Sequence, residues 1–452
     1  MKLTDLNTRG GIGANSLLIE IGRFTFLIDA GLNPKATGLE GIPDFSLIRD
    51  RHIDFAILTH CHLDHLGSFP VFLREHPETN VFMSQPTHSL AERMLHNSVN
   101  VMSRQREEKH IPEYPLFTHS ELDRIGPRFM PIIFGQKKKM RIENDELELT
   151  LFPSGHIPGA AAVEITHKHR SIFFTGDVLF DNQKILPGAK FPAKHYDTIV
   201  TETTHGAKPA PEGKDRNSEI ERLTSSISKV IQRGGSVLVP VFALGRMQEV
   251  LTILQKAIKA KKIPKCPVFG AGLGMDIANY FDMIARKTGL VKFNRNIIKD
   301  LKLKNPPRKL KPGRDVPIPG IYILGSGMLV ERTPSYNTAA SLLGHHHNAI
   351  FFVGYCDPDT PGGKLLETKA GDNFLFETLE YQTPVRVEIE KLEMSGHAGR
   401  EDLLEFALQA TPRAIVLTHG DQDARDWFMD PLLEEAPKIN VTDPKPLQEY
   451  QI

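Results

Sequence analysis

The chain has 452 residues, 40% hydrophobic and 24% charged, which is room for two or three domains with ample cores. Lysine plus arginine equals aspartate plus glutamate at 55 each, so no overall charge draws the molecule to nucleic acid or to an anionic membrane. Three scattered cysteines (Cys61, Cys266, Cys356) argue against a disulfide framework and suit a reducing, cytoplasmic setting; no apolar leader and no run near the ~18 residues of a membrane span are present.

From residue 1 to 205, short apolar runs alternate with turns. Strands are expected at 16–20, 24–28, 56–58, 81–83, 147–152, 161–165, 171–174 and 198–200, with helices just after His65 and at 88–103. Residues 206–385 carry helical periodicity at 218–233 and 245–260 around a strand at 236–241. Further strands at 268–269, 320–324 and 349–354 describe a smaller parallel α/β domain. From 386 to 452, a strand-like run at 385–393, a helix at 400–410 and a strand at 414–417 return to the style of the first segment. The expected class is α/β, one layered domain interrupted by another.

The densest chemistry lies in Leu58-Thr59-His60-Cys61-His62-Leu63-Asp64-His65, directly behind an apolar strand. Alternation sends His60 and His62 to one side, where a single cation can be gripped by both. Asp64 and His65 follow where the chain turns and can reach a second cation. Cys61 points the opposite way, as a buried structural thiol. Four further apolar strands end in ligand-type residues: Asp29, His156, Asp177 and His419. Each alone is more simply a structural strand end. Sheets gather strand termini along one edge, however, so together they can converge on the 60–65 cluster.

These residues resemble the β-CASP subfamily of the metallo-β-lactamase fold superfamily. The matching motifs are Asp29, His60-x-His62-x-Asp64-His65, His156, Asp177, Thr201-Glu202-Thr203-Thr204-His205-Gly206, Ser395-Gly396-His397-Ala398-Gly399 and Thr418-His419-Gly420-Asp421. Residues 240–249, 325–329 and 354–355 are similar to it as well. The resemblance implies an αβ/βα sandwich that binds two zinc ions and carries an inserted β-CASP domain. By that resemblance His60, His62 and His156 hold one zinc, Asp64, His65 and His419 hold the other, and Asp177 bridges them. Asp29 orients a ligand histidine. The loop 357–363 follows the family pattern more loosely. With only residues 420–452 after His419, the chain is expected to lack both the extra C-terminal domain of longer relatives and an N-terminal RNA-binding module before Asp29.

Two zinc ions suit phosphodiester hydrolysis, because they lower the pKa of a bound water and neutralise charge on the phosphoryl oxygens. Asp64 is expected chiefly as a ligand, with a share in handling the nucleophile's proton as the alternative. His397 is the candidate general acid, with Glu202 keeping its imidazole oriented and charged; a plain structural ion pair is the rival reading. The family implies products with 5′-phosphate and 3′-hydroxyl ends.

Between Arg286 and Arg314 stand eleven lysines or arginines and one acid, Asp300. Lys292, Arg295, Lys299, Lys302, Lys304 and Arg308 are the expected phosphate contacts, and five more lysines lie between 256 and 265. Phe293 is expected in the core rather than stacked on a base. Lys137-Lys138-Lys139 reads as a solvated face and His345-His346-His347 as a solvated turn. Arg246 and Ser326 are guesses at the lining of a pocket for a terminal phosphate. His419 matches the RNA-directed members, so single-stranded RNA is the expected partner, with no membrane and with a homodimer as an option. The alternatives are a small-molecule ester or lactone hydrolase on the same metals, and a non-catalytic RNA-processing scaffold.

Overall fold

The apolar runs of the N-terminal half, joined by three strands near the C-terminus, pair into two seven-stranded sheets in the computed structural model, which describes residues 1–209 and 215–452. One sheet has the order Glu449–Gln451, Lys2–Asp5, Leu17–Ile21, Phe24–Ile28, Phe55–Ile57, Asn80–Ser84, Phe129–Ile132. The other runs Asn440–Thr442, Ala414–Thr418, Thr198–Glu202, Arg170–Phe174, Ala161–His167, Asp145–Pro153, Lys138–Ile142. Alternate residues of both sheets, among them Ile19, Phe26, Phe55, Leu149, Val163 and Ile172, meet in one dry core. Helices Arg400–Gln409 and Gln422–Glu435 cover the far face of the second sheet through Leu403, Ala407, Phe428 and Leu432. Helix Gln85–Lys109 lies over the first.

Strand direction matters more than strand number here. Phe24–Ile28, Phe55–Ile57 and Asn80–Ser84 run parallel, as do Arg170–Phe174, Thr198–Glu202 and Ala414–Thr418. Their carboxyl ends therefore open on one edge of each sheet, where ligands of open α/β sheets gather.

Phe173 sits fully buried at the centre of the helix-covered core, with ring centroids of Phe191 and Tyr196 at 4.9 and 4.8 Å and that of Phe406 at 5.6 Å. Phe173→Ala is expected to cost about 3–5 kcal/mol of stability. In a denaturant titration the midpoint should fall while the slope stays unchanged.

The second compact unit has its own five-stranded, all-parallel sheet in the order Val268–Gly270, Ile321–Leu324, Val237–Pro240, Ala349–Phe352, Glu388–Lys391. Helices Arg216–Gln232, Arg246–Lys259, Leu273–Thr288 and Pro334–Leu342 accompany it, and Leu238, Tyr322, Ile350, Phe352 and Leu365 belong to its core. The chain returns to the first unit at His397, not at residue 386 as the sequence suggests. The reason is pairing: Glu388–Lys391 adds in parallel to Ala349–Phe352 and completes the second sheet. A short excursion, Gln183–Pro187, also belongs to the second unit.

Candidate metal centre

Every residue of the histidine-rich cluster belongs to the first unit. His60 follows strand Phe55–Ile57, His156 follows Asp145–Pro153, Asp177 follows Arg170–Phe174, Glu202 ends Thr198–Glu202 and His419 follows Ala414–Thr418. Asp29 and His419 leave their strands in the left-handed region, φ +61° and +47°, a conformation that non-glycine residues adopt only where the surroundings impose it. Gly31 lets the chain pass the turn after His62: a Cβ there would lie 1.7 Å from the Asp64 carbonyl oxygen.

Ligand-type atoms converge here in three groups, His60/His62/His156/Asp177, Asp64/His65/His419 and Asp177/His397/His419, the last sharing one residue with each of the others. His62 Nδ1 lies 3.2 Å from His60 Nε2 and 3.0 Å from His156 Nε2. A tetrahedral zinc with bonds of 2.0–2.1 Å has ligand edges of about 3.3 Å. Asp177 stands between the groups. Its Oδ2 is 3.5 Å from both His60 Nε2 and His65 Nε2 and 3.7 Å from His156 Nε2, while Oδ1 lies 3.4 Å from His419 Nδ1. Although buried, that Oδ1 makes no hydrogen bond among the described residues.

The proton positions can be followed outward. Asp29 accepts from the Thr59 backbone N–H (2.7 Å) and from the Thr59 hydroxyl (2.8 Å), leaving that hydroxyl to accept from His60 Nδ1 at 3.2 Å. His65 Nδ1 donates to Asp29 Oδ2 at 2.7 Å, and the Asn15 amide faces its Nε2 at 3.3 Å. The Thr204 hydroxyl donates to Glu202 (2.5 Å) and accepts from His419 Nδ1 (3.0 Å). In their neutral forms His60, His65 and His419 thus each turn a bare Nε2 inward, and those of His65 and His419 meet at 3.3 Å. Two lone pairs at that distance repel unless a proton or a metal ion lies between them, and this buried set of imidazoles and carboxylates, with Asp177 Oδ1 left unsatisfied among the described residues, fits metal ions.

The electrostatics agree. Burial, with the neighbouring His65, holds His60 well below the ordinary imidazole range, and burial also lowers His62, so both are neutral donors. Burial opposes charging of His65, but Asp177, Asp29 and Asp64 outweigh it and hold this imidazole well above its ordinary value. The same crowding of carboxylates attracts divalent cations. Burial would raise Asp177, yet His419, His65 and His60 keep it well below the usual carboxylate range.

Next to this cluster His397 Nδ1 contacts Glu202 Oε2 at 2.8 Å, and its Nε2 lies 3.9 Å from Asp177 Oδ2. Glu202 also accepts from the Val178 N–H at 2.6 Å. Burial pulls the His397 imidazole down, but the Glu202 charge and hydrogen bond, with Asp177 and Asp64, bring it up to about 9. Cys61 faces away, its thiol on the Thr87 carbonyl.

The remaining candidates lie in the second unit. The Arg246 guanidinium is buried against Glu249, which Arg216 also holds at 2.7 Å, and burial lowers Arg246 to about 10. The Ser326 hydroxyl accepts from the Val330 N–H. Lys292, Arg295, Lys299, Lys302, Lys304 and Arg308 are all exposed, and Asp300 is engaged by Gln255. Phe293 is buried against Phe281. His347 contacts Asp315 at 2.6 Å, and Lys137 and Lys139, in the first unit, pair with Glu148 and Glu146. Sequence reasoning misses Thr59, Thr204 and Asn15. The signal for the two threonines is adjacency, one step before His60 and two after Glu202, with Thr204 also inside the matching 201–206 motif.

Three family models match in chain order: the metallo-beta-lactamase superfamily over residues 9–240, the Beta-Casp domain over 247–365, and the Zn-dependent metallo-hydrolase RNA specificity domain over 382–442. RNase aCSPSF2 of Saccharolobus solfataricus is 28% identical over 98% of this chain and 84% of its own. Ribonuclease TTHA0252 of Thermus thermophilus is 26% identical over 91% of each chain. Cleavage and polyadenylation specificity factor subunit 3 of Dictyostelium discoideum is 26% identical over 98% of this chain, which spans 56% of that relative's length. A crystal structure of a protein of unknown function from Enterococcus faecalis V583 shares the fold, with a TM-score of 0.51 and 15% identity over 99% of both chains. With ligand-type residues at the carboxyl ends of its strands and a superfamily model spanning half its length, the chain belongs to the metallo-β-lactamase superfamily and carries a β-CASP domain.

Proposed function

We propose that this chain is a zinc-dependent ribonuclease that hydrolyses phosphodiester bonds of single-stranded RNA. The observation that carries the reading is His397, an imidazole kept charged by Glu202 within 3.9 Å of the carboxylate joining both ligand groups. His60, His62 and His156 would hold one zinc, Asp64, His65 and His419 the other, with Asp177 shared. The imidazole-rich donor set suits zinc over magnesium or calcium. When bound, the pair of ions supplies Lewis acidity and an activated water.

The protein's own groups do the rest. Asp29 and Thr59 hold the His60 and His65 rings with their bare nitrogens inward, and Thr204 does the same for His419. Water oxygen bonds to phosphorus as the bond from phosphorus to the 3′-oxygen breaks. His397 delivers its Nε2 proton to that leaving oxygen, which leaves a 3′-hydroxyl and a 5′-phosphate. The names of the relatives, ribonucleases among them, and the RNA specificity domain support RNA as substrate. Free cysteines fit a cytoplasmic location.

Purified protein incubated with end-labelled RNA and with a panel of lactones and thioesters tests the reading. RNA should be cut into 5′-phosphorylated products; hydrolysis of the small esters alone overturns it.

The exposed basic run should meet phosphates without reading bases. Replacing Lys299, Lys302 and Lys304 together by alanine is expected to weaken RNA binding. The salt dependence should fall by about 0.7 in log–log slope for each phosphate that no longer meets a cationic side chain. Fluorescence anisotropy across a sodium chloride series reads both effects, and an unchanged slope would remove these lysines from the interface.

A further inference from the structure

A second group of ligand-type side chains lies on the outer helices of the first unit, apart from the metal centre. Helix Gln85–Lys109 presents Glu92 and His96 one turn apart, and helix His119–Ile125 presents His119 and Asp123 in the same way. The second helix is fixed at its start by a capping box between Thr118 and Glu121. His96 Nδ1 and His119 Nδ1 are 2.7 Å apart, and their rings are within 13° of parallel with centroids 5.0 Å apart. That separation is what an in-plane N–H···N hydrogen bond requires; a stack would be offset along the ring normal.

The direction of that bond follows from its neighbour. His119 Nε2 lies 3.2 Å from Asn100 Oδ1, an acceptor, so His119 carries its proton on Nε2 and accepts through Nδ1. His96 must then donate from Nδ1, which in the neutral ring leaves Nε2 with a bare lone pair. This lone pair faces Glu92 Oε1 at 3.7 Å and Asp123 Oδ1 at 3.9 Å. Among the described residues neither carboxylate pairs with a lysine or arginine. The three ligand-type atoms lie within 4.8 Å of one another, wider than the edges of about 3.4 Å that a cation with 2.0–2.2 Å bonds sets between its ligands, and rotation of the two exposed carboxylates closes the difference.

We propose that Glu92, His96 and Asp123 bind a divalent cation of the zinc class, with His119 and Asn100 fixing the ring of His96 for it. Such an ion ties the two helices together across the connection 110–118. It adds to, and does not rest on, the ribonuclease reading.

Equilibrium dialysis of the holoenzyme against micromolar free zinc, followed by elemental analysis, tests the site. The double variant Glu92→Gln/Asp123→Asn changes only solvent-exposed side chains and should hold one zinc fewer per chain than the wild type, with RNA cleavage unchanged. His119→Phe should retain the three ligands but bind that zinc at least tenfold more weakly, since groups that orient a ligand histidine contribute on that order. Equal zinc content in wild type and double variant overturns the proposal. Equal affinity in His119→Phe overturns the part given to His119.

Discussion

His397→Ala is expected to lower the turnover of RNA cleavage by about 10²–10⁴-fold while zinc content and melting temperature stay at wild-type values. Position dictates the size of the effect. The imidazole belongs to neither of the two proposed zinc-ligand sets but forms a third convergent group with Asp177 and His419, 3.9 Å from Asp177 Oδ2, and so stands next to any phosphate drawn to them. Its role is to carry a proton, and Glu202 sustains that role. The carboxylate is buried, is held by the Val178 N–H and the Thr204 hydroxyl, and faces Nδ1 at 2.8 Å. A group whose folded pKa is raised is protonated below that value and loses its proton as pH climbs through it. Activity that depends on His397 as an acid therefore falls on the alkaline side. Glu202→Gln removes the charge that raises the imidazole, so the alkaline limb of the pH–rate profile should move to lower pH with zinc content preserved. A merely structural ion pair predicts instead a lower melting temperature, with the profile in place. A His397→Ala enzyme that turns over at the wild-type rate would end the general-acid assignment.

The hydroxyl relay explains why the site is only partly legible in the sequence. Histidines and carboxylates at the ends of apolar runs announce themselves, because few structural needs place three imidazoles and a carboxylate in six residues. Strand direction then does the gathering: parallel neighbours such as Thr198–Glu202 and Ala414–Thr418 bring Glu202 and His419 to one edge although more than two hundred residues separate them. Thr59 and Thr204 have no such signature. A threonine on a strand end looks like ordinary β-propensity, and only the folded structure shows its oxygen between a carboxylate and an imidazole. The return to the first unit escapes the sequence for a similar reason. In the sequence the run 385–393 reads as the start of the closing segment, and only tertiary pairing of Glu388–Lys391 with Ala349–Phe352 assigns it to the second sheet. Arg246 enters the sequence reading only as a guess at the lining of a terminal-phosphate pocket, with no local phosphate-binding pattern behind it. The buried Glu249 three residues on, shared with Arg216 from the preceding helix, claims its charge.

Asp177→Asn is the substitution expected to separate metal binding from folding. The two side chains have nearly the same shape, so packing around residue 177 is retained. What disappears is the charge that His419, His65 and His60 stabilise against the cost of burial. An amide in its place offers one weak oxygen where two anionic ones face both ligand groups, so at least one zinc should be lost and RNA cleavage should fall by more than about 10²-fold. Thermal melting gives a second readout. An ion that binds the folded chain alone stabilises it by about 4 kcal/mol at a free concentration a thousand times its Kd. Chelation should accordingly lower the wild-type midpoint by several degrees and leave that of Asp177→Asn nearly where it was. The acid side carries a sign as well: a carboxylate held below its ordinary pKa contributes stability above that range and loses it as pH falls, so the asparagine variant should show a flatter stability profile toward low pH. If Asp177→Asn kept two zinc ions, the chelation-dependent shift and the wild-type rate, the two ligand groups would not share this residue, and the dinuclear reading would have to be rebuilt around a different bridge.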